Sequence, residues 1–218
     1  PVNINEKLLW LAYYWQHPLI VQCADKVKVR DYVEQCGLND LLIPIFGIWH
    51  HADEINLDEL PNSFVLKCNH GCAMNIIVKD KKQSDEDDIK RQLNAWLLIS
   101  YGKEDFEHHY QHIKPLIYCE QLLPFYGNSV VDYKLHCING QPYCFLICCD
   151  RDKSKHVQLF SYDIEWNRVA FLKGEEKTLD SQLKKPKNLA LMIEYARVLA
   201  KPFPYVRVDF YEVNGKLY

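Results

Sequence analysis

The sequence predicts an α+β fold, and three observations carry that prediction. Strand-like segments come in pairs joined by short polar turns, at residues 60–79 and 130–149 and again from Tyr205 onward. Helical periodicity is confined to separate stretches, at residues 5–16, 26–36, the segment ending at Gly102 and the segment from about Leu189. Neither G-x-x-x-x-G-K-[ST] nor G-x-G-x-x-G occurs, which excludes a P-loop and a dinucleotide-binding Rossmann sheet.

With 218 residues the chain is one large domain or two small ones, and 48% hydrophobic with 25% charged residues marks it as globular. A net charge of −3 argues against a general nucleic-acid surface. No apolar run approaches membrane-spanning length, and no secretory signal opens the chain. It starts at Pro1 rather than Met, which suggests a missing upstream piece. Nine cysteines without a C-x-x-C, several inside apolar strand-like runs, read as reduced thiols and a cytoplasmic location. Cys68, His70 and Cys72 alternate, but no second pair of ligands supports a structural zinc.

In chain order, Leu8, Leu9, Leu11, Ala12 and Trp15 define the first helix, which Pro18 stops. Asp25 caps the second helix and Gly37 closes it. Residues 41–49 form an apolar strand. His50, His51 and the acidic residues 53–59 form a solvated connection. In the central hairpin Phe64, Val65 and Leu66 lead to Lys67 and the turn Asn69-His70-Gly71, and strand character resumes at residues 75–78. Read alone, this is an ordinary hairpin with a surface lysine. Read for chemistry, a cation beside a Gly-containing turn suits a phosphate.

Residues 79–91 are charged and lead into a helix, where Ser84 and Asp87 resemble a capping box and Ile89, Leu93, Trp96 and Leu97 form one face. A short helix at 104–112 and a strand at 115–123 follow, with Glu120 near the strand's end. The next hairpin turns at Asn139-Gly140. It places Asp132, Lys134 and His136 on one face and Tyr133, Leu135 and Cys137 on the other. After a strand near 157–162 and a polar stretch at 173–187, Leu189, Met192, Ile193, Ala196, Leu199 and Ala200 form a helical stripe. The last strand, 205–213, puts Arg207, Asp209 and Tyr211 opposite Val206, Val208 and Phe210. Asn214-Gly215 then opens a hairpin whose returning strand is left unfinished at Tyr218.

Four features share one character, a cation beside a turn or on a polar strand face with carboxylates near: Asp25-Lys26, Lys67, Asp132/Lys134 with Arg151, and Arg207/Asp209. Singly, each reads as a surface lysine or ion pair. Together they supply what a magnesium-nucleotide site requires, cations for phosphate charge and a carboxylate for the metal.

The segments INEKLLW, ADKVKVRDYV, LPNSFVLKCNHG, DYKLHCINGQ, Asp150-Arg151, KPKNLALMIEYA and YVRVDFYEVNGKLY resemble the TupA-like proteins of the ATP-grasp superfamily, found among bacterial surface-polysaccharide functions. The resemblance implies an ATP-grasp fold with two α+β subdomains and a nucleotide cleft between them. It divides the chain into an N-terminal segment 1–60, a small subdomain 61–118 and a larger subdomain 119–218. It assigns Lys26 and Lys67 to ATP phosphates, and His70 and Gly71 to the loop over them. Glu120, Gln121, Leu122 and Leu123 become the hinge lining the adenine. Lys134, Arg151 and Arg207 face the reacting phosphate with Asp132 beside them, and Asp209 is a magnesium ligand. The family's loop reads NHGSG where this chain has Cys72-Ala73, and a further metal-binding Glu follows NGKLY in the family.

The function so implied is an ATP- and Mg²⁺-dependent carboxylate–amine ligase acting through an acyl phosphate, with a carbohydrate or amino-acid substrate. The alternatives are a nucleotide-binding interaction protein of polysaccharide assembly and a phosphotransferase acting on a sugar.

Overall fold

The structure, a computed structural model, describes residues 1–102, 107–124, 131–149, 158–171 and 183–218. The chain divides into two compact units, Pro1–Leu122 and Leu123–Tyr218.

The first unit opens with helices α1 (Ile4–Tyr14), α2 (Pro18–Ala24) and α3 (Val29–Gln35). Pro18 ends no helix. It sits at the first turn of α2, where its missing N–H is not needed, and His17 caps that turn through its side chain. Asp25 therefore terminates α2 rather than starting the next helix. Its Oδ1 accepts from Val27 N at 2.9 Å and Lys28 N at 3.2 Å, so it still satisfies the start of the following turn.

A four-stranded antiparallel sheet follows, made of β1 (Ile45–Trp49), β2 (Phe64–Cys68), β3 (Asn75–Val78) and β4 (Ile117–Gln121), in the order β1-β4-β2-β3. The segment before β1 is shorter in strand than expected, because Asn39–Leu41 winds into a 3₁₀ turn. Residues 1–60 thus share a sheet with residues 61–118. One face of the sheet buries Phe64, Leu66, Cys68, Ile117 and Cys119 beneath Ile89 and Leu93 of α4 (Glu86–Leu97). Ala52, Ile55, Leu57 and Leu60 complete this core, so the acidic connection is only half solvated: its apolar residues are buried while Asp53, Glu54, Asp58 and Glu59 face water. The cap of α4 is Asp85, whose side chain accepts from Asp88 N at 3.0 Å. Ser84, expected in that role, donates its hydroxyl to Lys81 O instead.

The second unit is a five-stranded antiparallel sheet of β5 (Asp132–Ile138), β6 (Gln141–Cys149), β7 (Gln158–Asp163), β8 (Arg168–Val169) and β9 (Tyr205–Phe210), in the order β8-β7-β6-β5-β9. Asn139 and Gly140 both take positive φ, 49° and 73°, the mirror-image turn that matches the twist of a tight hairpin. Helix α5 (Leu189–Ala200) lies against β5, β6 and β9 with Leu189, Met192, Ala196, Leu199 and Ala200 buried. The final segment completes its hairpin within the chain. β10 (Glu212–Val213) pairs with β11 (Lys216–Leu217), and Tyr211 and Tyr218 exchange backbone hydrogen bonds of 2.8 and 2.9 Å. Among the described residues no helix is long and apolar enough to cross a membrane, and all nine cysteines are free thiols.

Leu93 is fully buried between α4 and the first sheet. Leu93→Ala is expected to lower unfolding free energy by about 2–5 kcal/mol, read as a shifted urea midpoint with unchanged far-UV circular dichroism at low urea.

Candidate functional site

In the first unit the sheet's second face is the chemical one. The register sets Val65 opposite Glu120 and Lys67 opposite Tyr118, so all four side chains share a face. Lys67 and Glu120 are diagonal neighbours and form an ion pair, the carboxylate nearly buried and the ammonium about a quarter exposed. Tyr118, buried beside Glu120, has its hydroxyl pKa pushed well above the ordinary value, first by burial and then by that carboxylate.

Lys26 reaches the same neighbourhood by a different route. Asn69, at the end of β2, is fully buried, and its Nδ2 donates to Asp25 Oδ1 at 2.9 Å and to Lys114 O at 3.1 Å. Its Oδ1 accepts from Leu116 N at 2.7 Å. Lys26 N donates to Asn69 O at 3.3 Å, and the Lys26 ammonium donates to the carbonyl of Gly71, with the Tyr110 ring 5.9 Å away. Burial lowers the Lys26 pKa, an effect the nearby Cys72 opposes. The other oxygen of Asp25, Oδ2, is buried without a hydrogen bond.

The loop itself is divided. Asn69, His70 and Gly71 are buried, while Cys72 and Ala73 form the exposed tip, with Ala73 in the left-handed region at φ 59°. Gly71 is closely packed: a Cβ there would lie 2.9 Å from both Met74 Cε and Tyr101 Cδ2 and would displace them. His70 is buried with neither ring nitrogen hydrogen-bonded, the carbonyls of Trp96 and Ile99 standing near without closing a bond. Glu120 and Gln121 end β4, Gln121 N donates to Pro44 O at 2.9 Å, and the boundary between the units falls between Leu122 and the buried Leu123.

In the second unit the expected cluster assembles on one sheet face. Lys134 is buried between two carboxylates, 3.1 Å from Asp132 Oδ2 and 2.7 Å from Asp209 Oδ2. Arg207 grips Asp209 from the same strand, Nε to Oδ1 at 2.6 Å and Nη2 to Oδ2 at 2.9 Å. Burial would raise the Asp209 pKa, but the Arg207 hydrogen bond and charge, then Lys134, outweigh it and hold the carboxyl below its ordinary value. Asp209 is therefore ionised at neutral pH. Two carboxylates are enough for magnesium, which takes one or two from a protein and fills its shell with phosphate oxygens and water. Among the described residues no group of three or more His, Cys, Asp or Glu could hold a metal unaided, so Cys68, His70 and Cys72 form no such site. Arg151 lies outside the described residues.

Sequence reasoning missed Asn69, because nothing in the sequence pairs residue 69 with residues 25 and 116. It also missed Tyr205, whose hydroxyl lies 2.8 Å from His136 Nδ1. The alternation of β9, read two residues further back, puts Tyr205 beside Arg207 and would have found it.

Burial lowers the pKa of His70 below 6.5, so the fold favours the neutral ring. The unfolded chain takes up the proton more readily. Stability from this group is thus complete above pH 6.5 and is lost as pH falls through that value. Urea unfolding between pH 7.5 and 5.5 is expected to show stability falling once pH drops below 6.5, and His70→Gln to reduce that fall.

Comparisons with known proteins bear on the fold and the family. A D-alanine–D-alanine ligase from Bacillus anthracis, solved with ATP, superposes with a TM-score of 0.50 at 15% identity, covering 90% of this chain and 53% of that one. The ATP-grasp ligase PsnB with a minimal precursor gives 0.45 at 12% identity, covering 92% and 52%. PsnB with precursor, Mg and ADP gives 0.44 at 13%, covering 92% and 50%. The chain thus spans about half the length of these solved structures. No curated protein matches it. The α+β architecture is that of the ATP-grasp fold. The model of the TupA-like ATPgrasp family matches residues 6–218, nearly the whole sequence, and the chain belongs to that family.

Proposed function

We propose that the protein binds MgATP and uses it to join a carboxylate to an amine through an acyl phosphate. The observation that carries this reading is the buried Lys134 held between Asp132 and Asp209, with Arg207 clamped on Asp209. Transfer of a phosphoryl group needs positioned cations for its equatorial oxygens and a carboxylate for the metal, and little covalent help from the protein. That is what this face contains. The D-alanine–D-alanine ligase of the same fold holds ATP, which supports the nucleotide reading as an analogy of fold.

In this reading Lys26 and Lys67 neutralise phosphate charge, with His70 and Gly71 forming the base of the loop beside them. Lys26 exchanges the Gly71 carbonyl, and Lys67 the Glu120 carboxylate, for phosphate oxygens. Glu120, Gln121, Leu122 and Leu123 offer backbone groups and apolar surface to the adenine. Asp209, with Asp132, would hold a magnesium ion, which would supply neutralisation of phosphate charge. Lys134 and Arg207, with Arg151, steady the transferring phosphoryl group. The substrate carboxylate attacks the γ-phosphorus, ADP leaves, and the amine then attacks the acyl carbon as phosphate departs with the bonding pair. The family resemblance makes a surface polysaccharide or its precursor the source of one substrate, in the cytoplasm.

Lys67→Ala is expected to weaken MgATP binding tenfold or more by isothermal titration while the fold is retained. Unchanged affinity removes Lys67 from the site. Asp209→Asn is expected to abolish Mg²⁺-dependent release of ADP and phosphate, measured with a coupled assay, and to leave Mg²⁺-free ATP binding within a few-fold of the unsubstituted protein.

A further inference from the structure

One cavity in the first unit is lined by none of the residues assigned to the nucleotide. It has a volume of about 560 Å³ and opens between the residues after β1, the last turn of α4 and the residues before β4. Leu97, Leu98 and Pro115 give it apolar walls, and His50, His51, Asp53, Asn94 and Lys114 give it polar ones. That volume suits an organic molecule of metabolite size rather than a lone ion.

The polar lining is rich in donors without a partner. Among the described residues the exposed Lys114 ammonium makes no ion pair or hydrogen bond; only its backbone is engaged, the carbonyl accepting from Asn69 Nδ2 at 3.1 Å. Asn94 uses its Oδ1 on Ala52 N at 3.1 Å, which leaves both hydrogens of its Nδ2 available. The rings of His50 and His51 are exposed and likewise unbonded among the described residues. Asp53 is the one carboxylate of the lining, and it also faces Lys90 of α4. The helix end is turned back on itself, Leu98 N donating to Ala95 O at 3.3 Å and Ile99 N to Trp96 O at 3.0 Å. It therefore does not present a row of bare carbonyls to an anion.

One ammonium, one amide and two imidazoles beside apolar walls complement a singly charged, planar acceptor joined to an apolar body. A carboxylate can accept from Lys114 and from Asn94 Nδ2, while its apolar part covers Leu97, Leu98 and Pro115. A phosphate dianion would meet a single lysine and leave the apolar walls in water. The same walls are tied to the loop at residues 69–71. Asn69 bonds to Lys114 O and accepts from Leu116 N at 2.7 Å. The carbonyls of Trp96 and Ile99, on either side of Leu97 and Leu98, stand near the His70 ring. An occupant that bridges Lys114 and Leu98 thus favours the arrangement in which Asn69 and His70 are seated, and Asn69 O in turn holds Lys26 N at 3.3 Å.

We propose that this cavity is a second ligand site, for a monocarboxylate with an apolar body, and that its occupant tightens nucleotide binding through Asn69 and His70. The carboxylate site stands on the cavity alone, and its coupling to the loop rests on the nucleotide reading above. Coupling of this kind is reciprocal, so MgATP tightens the carboxylate by the same factor.

The test is titration of the protein at pH 7.5 with 3-phenylpropionate, 3-phenylpropan-1-ol and acetate, followed by nuclear magnetic resonance at the His50 and His51 imidazoles. Phenylpropionate is expected to shift both signals saturably and to bind about tenfold more tightly than the alcohol, which lacks the charge, or acetate, which lacks the body. Lys114→Gln, which leaves the backbone carbonyl on Asn69, and Leu98→Asp, which sets a like charge against the ligand, are each expected to weaken it about tenfold. Saturating phenylpropionate is expected to tighten MgATP about fivefold or more by isothermal titration. No saturable shift, an alcohol or acetate that binds as tightly, or an affinity unmoved by both substitutions overturns the site. Phenylpropionate bound as expected beside an unchanged MgATP affinity overturns the coupling. Phenylpropionate bound as expected with no MgATP binding at all removes the nucleotide reading and leaves the carboxylate site standing.

Discussion

The side-chain amide of Asn69 is a hydrogen-bonding group taken wholly out of water, and both of its ends are occupied. It ties together three segments far apart in sequence: the corner after α2 through Asp25, the end of β2 through its own backbone, and the run into β4 through Lys114 and Leu116. An unpaired amide in that position costs a few kcal/mol, roughly, so the three segments are held together or not at all. Lys26 follows Asp25 directly, and its backbone N–H is bonded to Asn69 as well. The position of Lys26 is in this way a by-product of satisfying a buried amide.

The second unit reaches a similar end by register. Antiparallel pairing of β5 with β9 brings Lys134 opposite Asp209. The charges there are desolvated as a set, and each lowers the cost of burying the next. Lys134 has two carboxylates, and Asp209 has two cations. A slip of β9 by one residue would turn Arg207 and Asp209 to the opposite face and leave Lys134 without them, so register and charge pairing enforce each other. The difference between the units is one of means. A long-range side-chain knot builds the first cluster, and the pleat of a sheet builds the second.

This difference decides what was legible in the sequence. Alternation along 132–138 and 205–210 reveals which residues of each strand share a face, Asp132, Lys134 and His136 in one strand and Arg207 and Asp209 in the other, while the pairing that brings the two faces together is not visible in it. Both hairpin turns with Asn-Gly were equally plain, because only a few residues tolerate positive φ at two successive positions. Helix ends were less legible. Pro18 reads as a stop although it opens α2, because proline is tolerated in a helix's first turn, and Ser84 reads as a cap although the adjacent Asp85 fills that place. The burial of Asn69 and His70 was not legible at all. A turn with Asn, His and Gly reads as exposed, and only the packing of Met74 and Tyr101 over Gly71 shows otherwise. Recognition of the family supplied what spacing could not, the roles assigned to distant cations.

Strand β9 has one further property. Among the described residues it is the outermost strand of its sheet, bonded to β5 on one side. Open strand edges invite other chains to add on, and natural sheets discourage this with charge. Arg207 and Asp209 sit on that edge, both substantially exposed and locked to each other. The pair that sits beside Lys134 on the polar face thereby also places charge on the sheet's border. Burial of Lys134 and protection of the open edge thus fall to the same two side chains, which narrows the substitutions either demand alone would permit.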